Sequence, residues 1–222
     1  MHTYSSDATD RSWAPWAIAC VAVALTYGCS RTLAAWNLSW PWWIENPSIM
    51  LFYGALWSFY DRVLWRRTIL GFRLSQVPDL GGTWFATLQS SHDGGAHSNG
   101  CIRIHQTWSK MLIEFESATS RSVSRMAALN IGPGANQGLL YEYANDPRFA
   151  AADSMHAHRG VSVMRRSAAG QSLEGEYFTG RDRQTHGSIT LQRISAQHLD
   201  LSQAKTICEE EKKRHERQAA AD

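Results

Sequence analysis

Between residues 101 and 117 the chain reads Cys101-Ile102-Arg103-Ile104-His105-Gln106-Thr107-Trp108-Ser109-Lys110-Met111-Leu112-Ile113-Glu114-Phe115-Glu116-Ser117. The period of this stretch decides the fold. Ile102, Ile104 and Trp108 fall on one side, with Arg103 and His105 on the other. Met111, Ile113 and Phe115 then alternate with Glu114 and Glu116. A period of two is that of a half-buried strand, whose successive side chains point to opposite faces. Two such strands joined by a short polar turn predict a hairpin.

The same signal recurs on either side. Thr83–Gln89 precedes the pair Cys101–Trp108 and Met111–Ser117. Arg121–Ile131, Gly138–Tyr143, His156–Arg166, Ser172–Thr179 and Thr185–Ile194 follow it. Leu139, Tyr141 and Tyr143 alternate with Leu140 and Glu142. Loops of turn-forming residues separate the runs, among them Ser91–Asn99, Gly132-Pro133-Gly134-Ala135-Asn136 and Ala168-Ala169-Gly170. No stretch of helical period interrupts them, which disfavours parallel βαβ layouts. About eight antiparallel strands in sequence order predict an up-and-down, lipocalin-like barrel, because closure removes exposed edges. An open sandwich is the alternative. Trp84, in Gly82-Thr83-Trp84, and Trp108 are expected in the core.

Outward toward residue 1, the composition changes. From Ala14 to Cys29 no side chain is charged, and Ser48 to Tyr60 is a second uncharged run. Segments from Trp13 to Trp36 and from Pro47 to Trp65 are each long enough to cross a hydrocarbon core of about 30 Å. Asn46 before Pro47 is a helix-start signal. Trp36, Trp40, Trp42 and Trp43 around the turn resemble an interfacial aromatic belt. A cleaved signal peptide is a rival, but no small-x-small cleavage site leads into a mature domain. A buried soluble helix pair is another. The turn 37–46 lacks Lys and Arg, whereas Arg11, Arg62, Arg66, Arg67 and Arg73 flank the segments. The positive-inside rule therefore predicts a two-helix membrane hairpin with both termini in the cytoplasm.

The expected organisation is a leading segment 1–12, a transmembrane hairpin 13–67 and a linker 68–80 containing Pro78. A barrel 81–194 and a charged helical or disordered tail 195–222 follow. Glu209 with Lys213, and Glu210 with Arg214, are favourable i,i+4 pairs in that tail.

Composition excludes some functions. A net charge of +2 over 222 residues does not suggest a DNA or RNA polymer as partner. The four cysteines, Cys20, Cys29, Cys101 and Cys208, have neither C-x-x-C spacing nor a disulfide pattern. His156 and His158 share a strand face, yet no acidic or cysteine pattern completes a metal set. No G-x-S-x-G elbow is present, so no catalytic residue is assigned. Gly132-x-Gly134 reads as a hairpin turn. The segment Gly175-Glu176-Tyr177-Phe178-Thr179-Gly180-Arg181-Asp182-Arg183-Gln184-Thr185-His186-Gly187 is richer. Arginines suit phosphates and rings stack on bases, but an ordinary polar hairpin neutralised by Asp182 explains it equally well.

An ordered series of short motifs adds a resemblance. Gly82-Thr83-Trp84, Gln106-Thr107-Trp108, the alternation Ser120, Ser122, Ser124, and Tyr141-Glu142-Tyr143-Ala144-Asn145-Asp146-Pro147 begin it. His158-Arg159-Gly160 and Gly175 to Arg181 continue it. Together with the paired apolar segments they resemble the SMODS-associated two-transmembrane, β-strand-rich effectors of bacterial CBASS anti-phage systems. Phe85-Ala86 departs from that pattern. The resemblance implies a minimal barrel that binds a cyclic dinucleotide from a partner nucleotidyltransferase, with no other cofactor. It further implies homo-oligomerisation, contact with membrane lipid, and disruption of the inner membrane in abortive infection. For such a ligand, Arg181 and Arg183 suit the phosphates and Tyr143 and Tyr177 the bases. Ser122, Ser124, Asn145, Thr179 and Thr185 offer polar edges. The alternatives are a membrane-tethered lipocalin-like carrier of an apolar molecule, or a metal-dependent membrane enzyme using Asp153, His156 and His158.

Overall fold

The computed structural model describes residues 1–37, 42–69, 71–91, 97–132, 137–147, 157–167, 170–181 and 184–219, with only backbone for 42–47, 97, 147 and 211–219. In chain order the elements are β1 (His2–Thr3), β2 (Ser5–Ser6), α1 (Asp10–Ala35), α2 (Trp42–Arg62), β3 (Thr68–Ile69) and β4 (Phe72–Arg73). Then come β5 (Gly82–Ser90), β6 (His97–Gln106), β7 (Lys110–Ser117), β8 (Ser120–Asn130), β9 (Gly138–Pro147), β10 (His158–Arg166), β11 (Ser172–Thr179), β12 (His186–Ser195) and α3 (Leu201–Ala219). They form two units, residues 1–6 with 79–222, and residues 7–78.

Every strand from β5 to β12 is antiparallel to the next, and β12 returns to pair with β5. The result is a closed, eight-stranded, up-and-down barrel. Closure by β12 and β5 rules out the open sandwich. The periodic runs fall on these strands because one face of each is buried, which fixes register as well as strand identity.

One end of the barrel is packed solid. Trp84, Ile102, Ile104, Met111, Ile113, Leu129, Leu139, Met164, Leu173 and Leu191 are each at most 2% exposed. Burial of each such side chain contributes about 1.5–3 kcal/mol. Trp84 Nε1–H donates to the Leu80 carbonyl at 2.9 Å, and the Leu80 amide donates to Gln106 Oε1 at 2.8 Å. The Arg193 guanidinium lies over the Trp84 ring, 5.9 Å from its centroid. Trp84 and Trp108 are core, as expected.

The tail is not merely a solvated appendage. Asp200 Oδ1 accepts the Gln203 amide at 2.8 Å, while Gln203 Oε1 accepts the Asp200 amide at 3.1 Å, a reciprocal capping box that starts α3. The Gln203 amide, with the Ser202 hydroxyl, holds the Asp200 carboxyl below its ordinary range. The lead-in is fastened to the outer wall, where Thr83 Oγ1 donates to Gln197 O at 2.6 Å and accepts the Leu199 amide at 2.8 Å. Ala204 is fully buried, in a helix that packs on β5, β6 and β12. The pairs of Glu209 and Glu210 with Lys213 and Arg214 lie outside the described side chains.

In the second unit, α1 and α2 pack together. Among the described residues one helix, Asp10–Ala35, is long and apolar enough to cross a membrane. The expectation of two is corrected. The uncharged run Ser48–Tyr60 covers about 20 Å of helix axis, short of a hydrocarbon core. Asp61 and Arg62 close α2, and its first turns carry Glu45 and Asn46. The helix begins at Trp42, so Asn46 and Pro47 lie within it and do not start it.

Candidate functional site

Apolar packing stops halfway along the barrel, and the character of the inward face changes there. On β9 the inward series runs Leu139, Tyr141, Tyr143, Asn145, and on β8 it runs from Leu129 to Ser122 and Ser120. On β10 Met164 gives way to Ser162, and on β11 Leu173 gives way to Tyr177 and Thr179. Past this boundary a cavity opens, part of a contiguous volume of about 960 Å³.

Strand register divides that volume into two surfaces. Leu88, Ser90, Ser98, Phe115, Ser117, Ser120, Ser122, Tyr141, Tyr143, Asn145, His158, Ser162, Tyr177, Thr179, Thr185 and Ile189 line the barrel interior. Phe85, Thr87, Asn99, Thr190 and Gln192 occupy the alternate, outward positions, where they face Lys205, Cys208 and Glu209 of α3. Only the first surface is enclosed by the wall.

The interior surface is rich in hydroxyls and rings. The Tyr141 and Tyr143 rings are tilted, with centroids 6.0 Å apart. Burial pushes the Tyr141 phenol up to about 12, with a Ser162 hydrogen bond acting the other way. It therefore stays a neutral donor at physiological pH. Ser117 Oγ takes part in a local network with Thr119 and Ser120, accepting the Ser120 amide at 3.0 Å. At the far rim Thr179 and Thr185 close the β11–β12 hairpin. The Thr179 amide donates to Thr185 O at 2.9 Å, and the Thr185 amide donates to Thr179 Oγ1 at 2.8 Å.

Of the residues selected from sequence, six meet on this wall: Ser122, Tyr143, Asn145, Tyr177, Thr179 and Thr185. Arg181 is exposed in the turn beyond Thr179 and does not line the cavity. Arg183, Asp153 and His156 lie outside the described residues. Ser124 is buried but points to the β7–β8 seam, where its Oγ accepts the Ile113 amide at 2.9 Å. Among the described residues no group of three or more His, Cys, Asp or Glu is arranged to hold a metal.

Two arginines that sequence reasoning did not select lie on the outer face beside the rim. Arg125 and Arg159, with Asp146 and Gly180, border a depression of about 580 Å³ that shares Asn145 and His158 with the cavity. Arg125 sits at the β8 bulge between Ser124 and Met126, an irregularity that no sequence period announces. Arg159 stood in the quoted His158-Arg159-Gly160, but strand alternation assigns it outward. Ser98, Ser117 and Ser162 were missed because each is a lone serine on its strand, unlike the alternating Ser120, Ser122 and Ser124.

Residues 75–193 match the family described as "Cap15, cyclic dinucleotide receptor domain". The chain is 34% identical over 142 residues to CD-NTase-associated protein 15 of Yersinia aleksiciae, covering 64% of this chain and 67% of that one. A solved redesigned β barrel aligns with 52% of this chain and 92% of its own, at 16% identity and a TM-score of 0.26. A score that low adds nothing about the fold.

Proposed function

The chain belongs to the Cap15 cyclic dinucleotide receptor family, and from that premise we propose a CBASS effector whose barrel binds a cyclic dinucleotide in the hydroxyl-lined cavity. The observation that carries the proposal is the change of the inward face from aliphatic to tyrosine and hydroxyl. A carrier of apolar molecules has no use for that lining, whereas bases and ribose edges do. Tyr143 and Tyr177 stack on the bases, and Ser122, Asn145, Thr179 and Thr185 contact their edges. Arg125 and Arg159, in the outer depression that shares Asn145 and His158 with the cavity, join Arg181 as proposed phosphate partners, since guanidinium matches phosphate geometry.

The effector half of the proposal rests on two surfaces. Outward on β8–β11, Met126, Leu140, Val161, Val163 and Phe178 are exposed. Val161 registers with Phe178, and Val163 with Leu140, so the apolar side chains are neighbours. Such a patch favours self-association. Ligand binding drives it only if the nucleotide binds the assembly more tightly than the single chain. The second surface is α1, proposed to insert in the inner membrane and damage it when copies cluster. The chain leaves the barrel unit at Ser6 and rejoins it at Asp79. A partner nucleotidyltransferase supplies the ligand, which is bound and not turned over.

Isothermal titration of the full chain with 3′,3′-linked cyclic dinucleotides carrying A, G and U tests the central claim. Saturable binding with ligand recovered intact is expected. Absence of binding to every member, or hydrolysis of the one that binds, overturns it.

A further inference from the structure

Among the described residues the barrel wall has one weak seam. β7 and β8 pair only where Glu114–Glu116 meets Arg121–Val123. Beyond Ser124 the β8 strand bulges and the two strands part. At the last rung the Ile113 amide donates to a side chain, Ser124 Oγ, in place of a backbone carbonyl. Residues 1–6 fill the gap. His2–Thr3 runs antiparallel to β7, and Ser5–Ser6 runs parallel to β8. Tyr4 between them is 6% exposed, with its hydroxyl donating to Thr107 O at 3.4 Å.

His2 ties this insert to the serine strand. Its Nδ1 lies 3.1 Å from the Thr3 carbonyl, which only accepts, so that nitrogen carries the hydrogen. In the neutral ring Nε2, 2.8 Å from Ser124 Oγ, is then the acceptor of the Ser124 hydroxyl proton. Ser124 thus accepts from β7, donates to His2, and shares its strand with the cavity-lining Ser122 and Ser120.

We infer that residues 1–6 are a working part of the receptor, closing the β7–β8 seam, and that His2 is a positioning residue for the cavity serines. These residues lie outside the span matched by the receptor family. They also run directly into α1, which starts at Asp10. A ligand that favours one position of β8 favours the closed seam, and by linkage seam closure favours the ligand. The ligand half of this inference rests on the cyclic dinucleotide reading above.

The test uses the full chain in detergent, with His2→Ala, His2→Gln and Ser5→Ala, whose serine is exposed. Amide exchange is followed over residues 110–113 and 126–129, and affinity is measured for the tightest-binding member of the dinucleotide panel. Without nucleotide, His2→Ala speeds exchange across the seam about tenfold, and it weakens binding about fivefold. His2→Gln, which keeps an acceptor for Ser124, restores most of both, and Ser5→Ala changes neither. Added nucleotide slows exchange in residues 1–6 of the wild type. Seam exchange unmoved by His2→Ala overturns the seam. Unchanged His2→Ala affinity in a wild type that binds overturns the positioning role alone. A wild type that binds no member overturns both that role and the cyclic dinucleotide reading.

Discussion

Gly160 of β10 lies opposite Tyr143 of β9, and the tyrosine ring occupies the space a side chain at 160 would fill. Gly187 of β12 stands in the same relation to Tyr177 of β11, whose ring edge lies 2.7 Å from where a Cβ would be. Each ring is thus laid flat against the wall by a missing side chain on the neighbouring strand. That leaves the cavity open and fixes the ring face toward it.

Gly160→Ala tests this arrangement. The added methyl overlaps the Tyr143 hydroxyl and comes within 2.7 Å of the Phe178 carbonyl. Overpacking of this kind costs about 1–3 kcal/mol. A lower melting temperature and weaker nucleotide binding are expected together. Adding Tyr143→Ala to Gly160→Ala should recover part of the stability and none of the affinity, measured by calorimetry on the two variants.

The two kinds of contact proposed for the ligand separate by salt. Tyr177→Ala removes a stacking surface worth about 1–3 kcal/mol, and the loss should be the same at low and high ionic strength. Arg159→Ala removes a charge, so its loss should shrink as salt rises. Arg181→Ala in the exposed turn should cost less than Arg159→Ala. Titrations at two salt concentrations check all three, and equal salt responses for Tyr177→Ala and Arg159→Ala would refute the division of roles.

Two buried acids, Cys101 and Tyr141, contribute stability to the barrel that falls away at alkaline pH. Burial pushes the Cys101 thiol from 9.0 up to about 11, with the Arg103 charge pulling the other way, and the Tyr141 phenol from 10.0 up to about 12. A raised pKa means the folded state holds its proton longer than the unfolded chain. The associated stability is intact below pH 9 and is lost as pH climbs through these windows. Cys101→Ala should flatten the part of the decline between pH 9 and 11 in denaturant titrations. An unchanged slope there contradicts the assignment.

The barrel was legible because its signals are additive over eight strands. Ile102, Ile104, Met111 and Ile113 all sit where period two put them, and turn chemistry marked the ends. The site was half legible. Tyr143, Asn145, Tyr177 and Thr179 lie on alternating positions of strands already in register, so choosing the strand nearly chose the cavity. Arg181 was attractive by composition, yet the Thr179–Thr185 clasp puts it beyond the wall. Arg125 and the seam role of Ser124 were illegible for another reason: a bulge after Ser124 resets the alternation, and the seam depends on residues 1–6, more than a hundred positions away. α3 gave its own clue in Asp200-x-x-Gln203, overlooked because the glutamates after Cys208 dominated the composition.

Self-association is proposed to use the outer face of β8–β11. Phe178 is 47% exposed there and registers beside Val161. Phe178→Glu places a charge in the apolar row without touching the inward face. Nucleotide affinity should stay within about twofold, since the substitution removes no contact inside the barrel. Sedimentation with saturating nucleotide should show the wild type shifting to larger species and the variant staying small. Equal sedimentation of the two would move the interface elsewhere.

The role of α1 is open to a substitution that leaves the receptor alone. Val23 lies mid-helix and is 52% exposed, so Val23→Asp disturbs little packing within its unit. An aspartate at the centre of a membrane helix costs about 2.5–3.5 kcal/mol on an insertion scale. If α1 is the membrane element, the variant should leave the membrane fraction and lose growth arrest when co-expressed with the partner nucleotidyltransferase. Its dinucleotide affinity should match the wild type, because Val23 lies outside the compact unit that holds the barrel and its cavity. Arrest that persists with the variant in the soluble fraction would mean that membrane insertion by α1 is not how the signal acts. Loss of affinity alongside loss of arrest would instead tie α1 to the barrel through residues 1–6, the route that the His2 variants probe from the other end.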